Sequence, residues 1–467
     1  MTAAASGAPD AEPSKAKRIA NLVSIARKLG VRESRDIVDD GFTHMLSRLR
    51  VHSQAARKGS SHFVEARAYR EFQAAQNTHG QLYASGNFEA HPQAVLHAAS
   101  LLKQARVELG LEDFPIRILG GDVSHSIGHI AIGLGTRVKL RAVGLEETPR
   151  PIVIASQVPN KHYLEYFRPH FPISYVSTWV ASDLRNRLWP LFASIDWVDT
   201  ARGPLMLYEA STLADAGWEE LTDRPLLELT KEDRDRGADF LSSIGLSAED
   251  WFVTLHIRDN PRSGQGYGRN ADADSYLLGV QEIVRRGGKV IRLAPPGAKA
   301  LPEMDGLVDL AAMGPRPDWV DVFLLGACAF LIGTTSGPHM VASTFGRPVL
   351  LTNVTGLALA PIPSRTLVLP KLVRRVASGG VSTLSELLDL GAAHVDGFLT
   401  GVLAEPQDPY AWVDNSPEEL LVATIEMLDG AYDQAPSQMQ AEFQQILRQH
   451  GNLRPAPVSE SFLARHR

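Results

Sequence analysis

Two short polar loops of this chain carry side chains whose chemistry suits a phosphorylated ligand. One follows an apolar run at residues 251–256 and offers His256 and Arg258, and the other follows an apolar run at residues 329–333. A guanidinium forms paired hydrogen bonds with phosphate, and a helix start offers unpaired N–H groups with partial positive charge. The second loop adds hydroxyls and a glycine that lets a ligand approach the backbone: Thr334, Thr335, Ser336 and Gly337. Together, the two loops predict a site for a diphosphate.

A purely structural role is the alternative for each loop. Arg258 could pair with Asp259 or Asp274, with His256 as an ordinary hydrogen-bonded residue at a strand end. The Thr-Ser loop could be a simple helix cap, since these residues are the usual caps. Two threonines, a serine and two glycines exceed what a cap requires, so we favour phosphate binding. The sequence has neither a Gly-Lys-Ser/Thr phosphate loop nor a G-x-G-x-x-G motif, which argues against ATP hydrolysis and hydride transfer.

Residues 266–272 form a third polar segment, in which Gly266 and Gly268 allow the loop to fold over a ligand. Arg269 and Asn270 would then donate hydrogen bonds to that ligand. The alternative is a flexible entry to a capped helix that starts at Asp272 or Asp274. Asp272-x-Asp274 has the spacing of a metal-binding pair, but we interpret it as that helix start and expect neither a metal site nor a cofactor.

A fourth polar segment, residues 120–129, follows the first strand of an earlier α/β region. Asp122 or His125 could act there as a general base towards an acceptor hydroxyl. The alternative is a glycine-rich turn with Asp122 or Ser126 capping the next helix. Asp318 is similarly expected to be an N-cap.

Strand and helix patterns alternate along the chain, which indicates parallel sheets. We predict an α/β fold with two facing Rossmann-like domains, a cleft between them, and helical additions at both ends. One added helix should begin at Ser416, as an N-cap, and end at Leu428. The predicted divisions are a disordered segment at 1–17, a helical region at 18–112, a first Rossmann-like domain at 113–245, a second Rossmann-like domain at 246–395, and a helical segment at 396–467.

The bulk composition excludes several classes of protein. The 467 residues are 44% apolar and 21% charged with a net charge of -6, so general nucleic-acid binding is not expected. The single cysteine, Cys328, rules out an intrachain disulfide and fits a buried thiol. Without an apolar run of about 20 residues or a secretory signal, we expect a cytoplasmic protein. Residues 1–70 hold 13 Lys and Arg against 7 Asp and Glu. Contact of this basic N-terminal helical region with the inner face of the membrane is an alternative to packing on the neighbouring domain.

Nine segments carry a family resemblance: residues 126–129, 256–259, 269–272, 287–293, 318–323, 332–337, 369–372, 383–387 and 413–419. They resemble a family of bacterial glycosyltransferases associated with surface-polysaccharide and glycan biosynthesis, over most of residues 114–430. A weaker similarity to α-1,6- and protein O-fucosyltransferases implies that Arg258 contacts the donor β-phosphate and that Thr335 and Ser336 contact the pyrophosphate. One residue separates His256 from Arg258 here, whereas many fucosyltransferases have two, so a preference for GDP-fucose does not follow.

The resemblance implies a GT-B-like glycosyltransferase whose acceptor domain is 113–245 and whose nucleotide-sugar donor domain is 246–395. We expect transfer without metal, because Arg258 and the helix start at Thr335–Gly337 would stabilise the leaving diphosphate. We expect inversion at the anomeric carbon, with retention as the alternative.

The enzyme's substrates would be a nucleotide-diphosphate sugar and a glycan, lipid-linked or other hydroxyl acceptor, and it would transfer a hexosyl or fucosyl group. Arg258 would stabilise the leaving group, and Asp122 or His125 would take the acceptor proton. Two alternatives stay open: a nucleotide-sugar epimerase or hydrolase of similar fold, and a non-catalytic nucleotide-sugar-binding subunit.

Overall fold

The computed structural model of this chain describes residues 67–84, 90–108, 117–119, 126–146, 152–154, 158–175, 197–200, 203–247, 249–259, 268–355, 364–388, 410–449, 452 and 454–466. The segment predicted to be disordered, 1–17, and nearly all of the basic N-terminal region lie outside these residues, as do Asp122 and His125. None of the described helices is both long and apolar enough to cross a bilayer.

The first unit alternates helices with short strands. In chain order its elements are α1 (Arg67–Ala84), α2 (His91–Glu108), β1 (Arg117–Leu119), α3 (Ile127–Ala142), β2 (Ile152–Ile154), α4 (Lys161–Glu165), β3 (Ile173–Tyr175), β4 (Trp197–Thr200), β5 (Gly203–Met206), α5 (Leu207–Leu221) and α6 (Lys231–Ser243). Strands β1, β2 and β3 form a parallel sheet, and β4 and β5 form an antiparallel pair.

The second unit is built on a six-stranded sheet with helices between the strands. Its elements are β6 (Phe252–His256), α7 (Leu277–Arg285), β7 (Lys289–Arg292), β8 (Leu307–Asp309), α8 (Asp318–Ala327), β9 (Leu331–Thr334), α9 (Gly337–Thr344), β10 (Val349–Val354) and β11 (Thr366–Pro370). The strands lie in the order β11-β10-β9-β6-β7-β8, and every neighbouring pair is parallel. Strands β9, β10 and β11 are buried throughout, as expected for a sheet covered on both faces.

The remaining elements follow the sheet: β12 (Leu372–Arg375), α10 (Leu384–Leu387), β13 (Tyr410–Val413), α11 (Pro417–Leu428), α12 (Gln438–Gln449) and α13 (Glu460–His466). Helix α11 begins as predicted, because Ser416 and Glu419 form a reciprocal capping box and Pro417 occupies the first turn. The α/β class with parallel sheets and helical additions is therefore confirmed, whereas the predicted domain boundaries stay predictions.

The two units share one hydrophobic core. Helix α4 of the first unit lies against α8 and α9 of the second, and the hydroxyls of Tyr163 and Thr344 lie 3.0 Å apart. The Asp318 carboxylate accepts a hydrogen bond of 3.0 Å from the backbone N–H of Lys161. Asp318 was expected to be the N-cap of its own helix, but Pro317 holds that position. The prediction was wrong because the carboxylate is used across the junction, where it binds the start of α4. Cys328 is fully buried, as predicted.

Candidate functional site

The chain reverses its direction of winding between β6 and β9. From β6 it proceeds outward through β7 and β8, and it then returns to β9 on the other side of β6 before continuing to β10 and β11. Ligands of such doubly wound sheets bind outside the carboxyl ends of the strands at this switch point. The loops that follow His256 and Gly333 flank it, and these two residues are register partners. The structure thus brings the two predicted phosphate-binding loops side by side.

Two close contacts fix these loops relative to each other. The backbone N–H of Arg258 donates a 2.9 Å hydrogen bond to the hydroxyl of Thr334, which is buried. A Cβ atom added to Gly333 would lie 2.9 Å from the carbonyl oxygen of His256. Because that neighbour is backbone, only glycine permits this approach of β9 to β6. Thr334 therefore serves as a bridge within the protein.

Arg258 and Arg269 are two cations at this edge that have no acidic partner among the described residues. Neither forms an ion pair with any residue that the structure describes, and Asp274, the expected alternative partner of Arg258, pairs with Lys299 at 2.5 Å. Burial lowers the pKa of both guanidinium groups, and the charge of Arg258 contributes to the lowered pKa of Arg269. The buried Nε of Arg258 has no hydrogen-bond partner among the described residues. Such an arrangement favours an anion that accepts hydrogen bonds from both side chains.

The loop that carries Arg269 and Asn270 is tied directly to the loop of Arg258. The backbone N–H of Ala271 donates a 3.1 Å hydrogen bond to the carbonyl of Arg258. Asp272 caps the short 3-10 helix Ala273–Tyr276, as expected for a helix start. Gly266, the first glycine of this segment, lies outside the described residues.

Helix α9 begins next to these arginines and presents several donors. Ser336 is its N-cap and Gly337 its first residue. The backbone N–H of Ser336 donates to Nδ1 of His339 at 3.2 Å, so the neutral imidazole carries its proton on Nε2. The hydroxyl of Thr335 is buried and has no hydrogen-bond partner among the described residues. The helix start therefore offers an unused hydroxyl and an imidazole N–H in addition to its backbone amides.

Replacing Thr335 by valine should lower ligand affinity without lowering protein stability. A buried hydroxyl without a partner costs roughly 1–3 kcal/mol, so Thr335→Val should leave the free energy of unfolding unchanged or raise it. The affinity of the Thr335→Val variant for pyrophosphate should fall about tenfold, because a hydrogen bond to a charged group is lost. Urea unfolding and calorimetric titration measure the two effects.

Thr366→Val provides the matched control for this prediction. The hydroxyl of Thr366 is also buried and has no described hydrogen-bond partner. Thr366 is the first residue of β11, however, so it lies at the amino ends of the parallel strands, away from the site at their carboxyl ends. Thr366→Val should change the free energy of unfolding in the same way as Thr335→Val, but it should leave the affinity for pyrophosphate unchanged. Equal affinity of Thr335→Val and wild type would show that this hydroxyl does not contact the ligand.

Two histidines of the site are neutral in the folded protein. Burial, together with the positive charges of Arg258, Arg292 and Arg316, lowers the pKa of His256 to about 4. Burial lowers the pKa of His339 to about 4 as well. Both imidazoles can therefore donate or accept hydrogen bonds near neutral pH without adding charge to the two arginines.

The pH dependence of stability should report the neutral state of His339. An unfolded histidine has a pKa of about 6.5, so the unfolded chain binds a proton between pH 6.5 and about 4 that the folded chain does not. Stability should consequently fall with decreasing pH across this range, by on the order of 2–3 kcal/mol for His339. His339→Asn keeps an acceptor for the Ser336 amide and should flatten the slope.

Urea midpoints measured at a series of pH values test this expectation. His97→Asn, at an exposed position on α2, is the control for the effect of a histidine-to-asparagine substitution itself on stability. Identical slopes for wild type and His339→Asn would mean that the imidazole is protonated equally in both states.

The starts of two helices, one from each unit, meet at this site. A Cβ atom on Gly128, in the first turn of α3, would lie 2.9 Å from Cα of Gly337. A Cβ atom on Gly337 would lie 2.8 Å from the backbone nitrogen of Gly128. The N-cap of α3 is Ser126, whose side chain makes no capping hydrogen bond. The positive ends of both helix dipoles therefore point to the same region, which further favours an anion.

The sequence analysis gave no role to His339 or Gly128, although Gly128 lies in a segment that it singled out and His339 lies two residues after Gly337. The spacing Ser-x-x-His, with the histidine at the third helical position, was the available signal for His339. Asp122 and His125, the candidate bases, lie outside the described residues and stay predictions. Among the residues that are described, no group of three or more His, Cys, Asp or Glu side chains could hold a metal ion.

Comparison with known proteins gives only distant likenesses. No family model and no curated protein match the chain. Among solved structures, a glycosyl transferase family 9 protein from Veillonella parvula is 16% identical, with a TM-score of 0.28 over 52% of this chain and 68% of that one. The ADP-heptose LPS heptosyltransferase II of E. coli is 13% identical, with a TM-score of 0.40 over 68% of this chain and 99% of that one.

A third likeness is to the iron-containing dodecameric glycosyltransferase TibC from enterotoxigenic E. coli H10407. It is 13% identical, with a TM-score of 0.32 over 54% of this chain and 61% of that one. All three TM-scores are below 0.5, so they establish neither a family nor an activity for this chain. The similarity to fucosyltransferases stays a prediction, and the function must be inferred from the site.

Proposed function

We propose that this protein is a glycosyltransferase that moves a sugar from a nucleotide-diphosphate sugar to a hydroxyl acceptor. The observation that carries the proposal is the pair Arg258 and Arg269, which have no described acidic partner and lie at the switch point of a doubly wound sheet. A diphosphate is the ligand whose charge and oxygen atoms such a pair suits best. The sequence resemblance to bacterial glycosyltransferases supports the same assignment.

The proposed reaction is a displacement at the anomeric carbon. The bond between this carbon and the diphosphate oxygen breaks, while the acceptor oxygen attacks from the opposite face and inverts the configuration. Negative charge develops on the leaving diphosphate, where Arg258, Arg269 and the start of α9 would stabilise it. This fixed positive charge is the basis for proposing that the transfer is independent of metal.

The acceptor proton needs a base, and Asp122 and His125 are the candidates. His125 directly precedes Ser126, which begins the helix whose first turn contacts Gly337. The acceptor would therefore approach from the first unit, and the nucleotide sugar would bind to the second, in a GT-B-like division of roles. We propose a glycan or lipid-linked hydroxyl as acceptor, at the cytoplasmic face of the membrane.

Thermal unfolding in the presence of nucleoside diphosphates and their sugars, without added metal, tests the proposal. A ligand at 100 times its dissociation constant adds about 2.7 kcal/mol to stability, which produces a clear increase in Tm. An increase with one nucleotide that is lost in Arg258→Ala would identify the donor class and its diphosphate contact. No increase with any nucleotide would refute the transferase assignment, and binding without turnover towards acceptors would favour a nucleotide-sugar-binding subunit.

A further inference from the structure

Lys371 is a buried lysine that contacts the loop of Arg269. Only 1% of the residue is exposed, yet its ammonium group makes two hydrogen bonds. It donates to the backbone carbonyl of Asn270 at 2.7 Å and to the Asp414 carboxylate at 2.6 Å. Burial lowers the pKa of Lys371, and the carboxylate opposes that shift. A lysine removed from water in this way is costly unless paired, so the position indicates a specific requirement for the contact.

A buried polar network of neighbouring residues fixes the backbone next to Asp414 and Lys371. Asn415 and Asn353 exchange backbone-to-side-chain hydrogen bonds of 2.7 and 2.9 Å, and Asn353 has a left-handed conformation with φ of 52°. The side chain of Asn415 also donates to the carbonyl of Pro370, the residue before Lys371, at 2.8 Å. These hydrogen bonds join the end of β11 to the residues after β13, next to Lys371. Segments 369–372 and 413–419, to which the sequence analysis gave no role at the site, meet here.

The other side of Arg269 is held by the same part of the chain. A Cβ atom on Gly268 would lie 2.8 Å from Nε1 of Trp412 in β13 and 3.1 Å from Cγ2 of Thr355. The backbone is thus confined at Gly268 by Trp412 and at Asn270 by Lys371. Arg269, between these two points, is kept close to Arg258 although the two guanidinium groups repel each other. Holding like charges together requires a rigid support.

We propose that Lys371 is a positioning residue for Arg269, and that its hydrogen bond to the Asn270 carbonyl sets Arg269 in place to bind the donor diphosphate. The inference rests on the proposed function, since it assumes that Arg269 contacts the diphosphate. Lys371 itself acts through the backbone of its neighbour. The C-terminal strands β12 and β13 are then part of the donor site through this lysine.

A double-mutant cycle on pyrophosphate affinity tests this role. The variants are Arg269→Ala, Lys371→Met and the double variant, with affinity measured by calorimetric titration. Arg269→Ala should weaken binding about tenfold or more, because a hydrogen bond to a charged ligand is lost. Lys371→Met should also weaken pyrophosphate binding. On a logarithmic scale of the dissociation constant, its effect should be about half that of Arg269→Ala or more. In the double variant, the lysine change should add nothing to the effect of Arg269→Ala.

A general loss of stability would not produce this non-additive effect on pyrophosphate affinity. Leu463→Ala, in α13, empties a fully buried position at the end of the chain and serves as the control for general destabilisation. It should lower the midpoint of urea unfolding without changing pyrophosphate affinity. If Lys371→Met does not fold, Lys371→Gln, which retains a donor on a shorter side chain, replaces it in the same cycle.

The outcomes separate this inference from the proposed function. If wild type binds pyrophosphate, Arg269→Ala weakens binding, and the lysine variant binds like wild type, the positioning role is overturned while the function stands. Additive effects in the double variant overturn it as well, since independent effects mean that Lys371 does not act through Arg269. If wild type binds neither pyrophosphate nor any nucleoside diphosphate, the proposed function itself fails.

Discussion

Replacing Arg258 by alanine should reduce turnover by about 10²-fold or more, the loss typical of removing one preorganised donor to a transition state. In the proposed reaction, the leaving diphosphate gains negative charge as its bond to the anomeric carbon breaks. Arg258 is fixed for that task by the 2.9 Å bond from its backbone N–H to Thr334, and burial strengthens its interaction with an anion. Because no described acidic side chain pairs with it, its removal leaves no carboxylate unpaired. The folded structure should therefore tolerate Arg258→Ala.

The measurement is the rate of nucleoside diphosphate release from the donor identified by thermal unfolding, at saturating acceptor. Arg258→Lys retains a positive charge but not the paired donors, and its turnover should lie between that of wild type and Arg258→Ala. Arg285→Ala is the matched control, since Arg285 is exposed on α7 and pairs only with Glu282 among the described residues. Near-normal turnover of a folded Arg258→Ala protein would refute the assigned role.

The sequence could predict the position of the two loops proposed to bind phosphate because that prediction depends on local patterns. Alternating strands and helices imply parallel strands, and parallel strands end at the same edge of their sheet. The loops after His256 and Gly333 were therefore expected at one edge, and the direct pairing of β6 with β9 brings them together. The same local reasoning correctly placed Ser416 as the N-cap of α11, since capping residues act within one turn.

The contacts that complete the site were not predictable in this way, because they join residues far apart in the chain. Lys371 reaches Asn270 across about 100 residues, and nothing in either segment indicates that a backbone carbonyl needs a donor. Asp318 had the residue type of an N-cap, but its carboxylate instead accepts a hydrogen bond from the first residue of α4 in the other unit, whose own N-cap is Asn160. Local patterns report the secondary structure that a residue begins or ends, whereas tertiary contacts depend on how the units pack.

Gly128→Ala should lower turnover by about 10²-fold, because displacements of about 1 Å have such effects on reacting groups. This effect is expected although Gly128 is remote in sequence from the two loops proposed to bind phosphate. The added Cβ would lie 2.9 Å from Cα of Gly337, and backbone cannot rotate away as a side chain can. Helices α3 and α9 must then separate, and the start of α9 shifts relative to Arg258. Overpacking of this kind should also lower the free energy of unfolding by roughly 1–3 kcal/mol.

Gly135→Ala, in the same helix, distinguishes this contact from a general effect of alanine on α3. Its Cβ would meet only the end of the Leu226 side chain, at 3.2 Å, which can move. Alanine also favours the helix interior over glycine by about 1 kcal/mol, so this variant should be as stable as wild type or more so, with normal turnover. Turnover and urea unfolding of both variants provide the comparison. If Gly128→Ala were as active as Gly135→Ala, the contact between the two helix starts would not position the donor site, and the two units would act independently in binding the diphosphate.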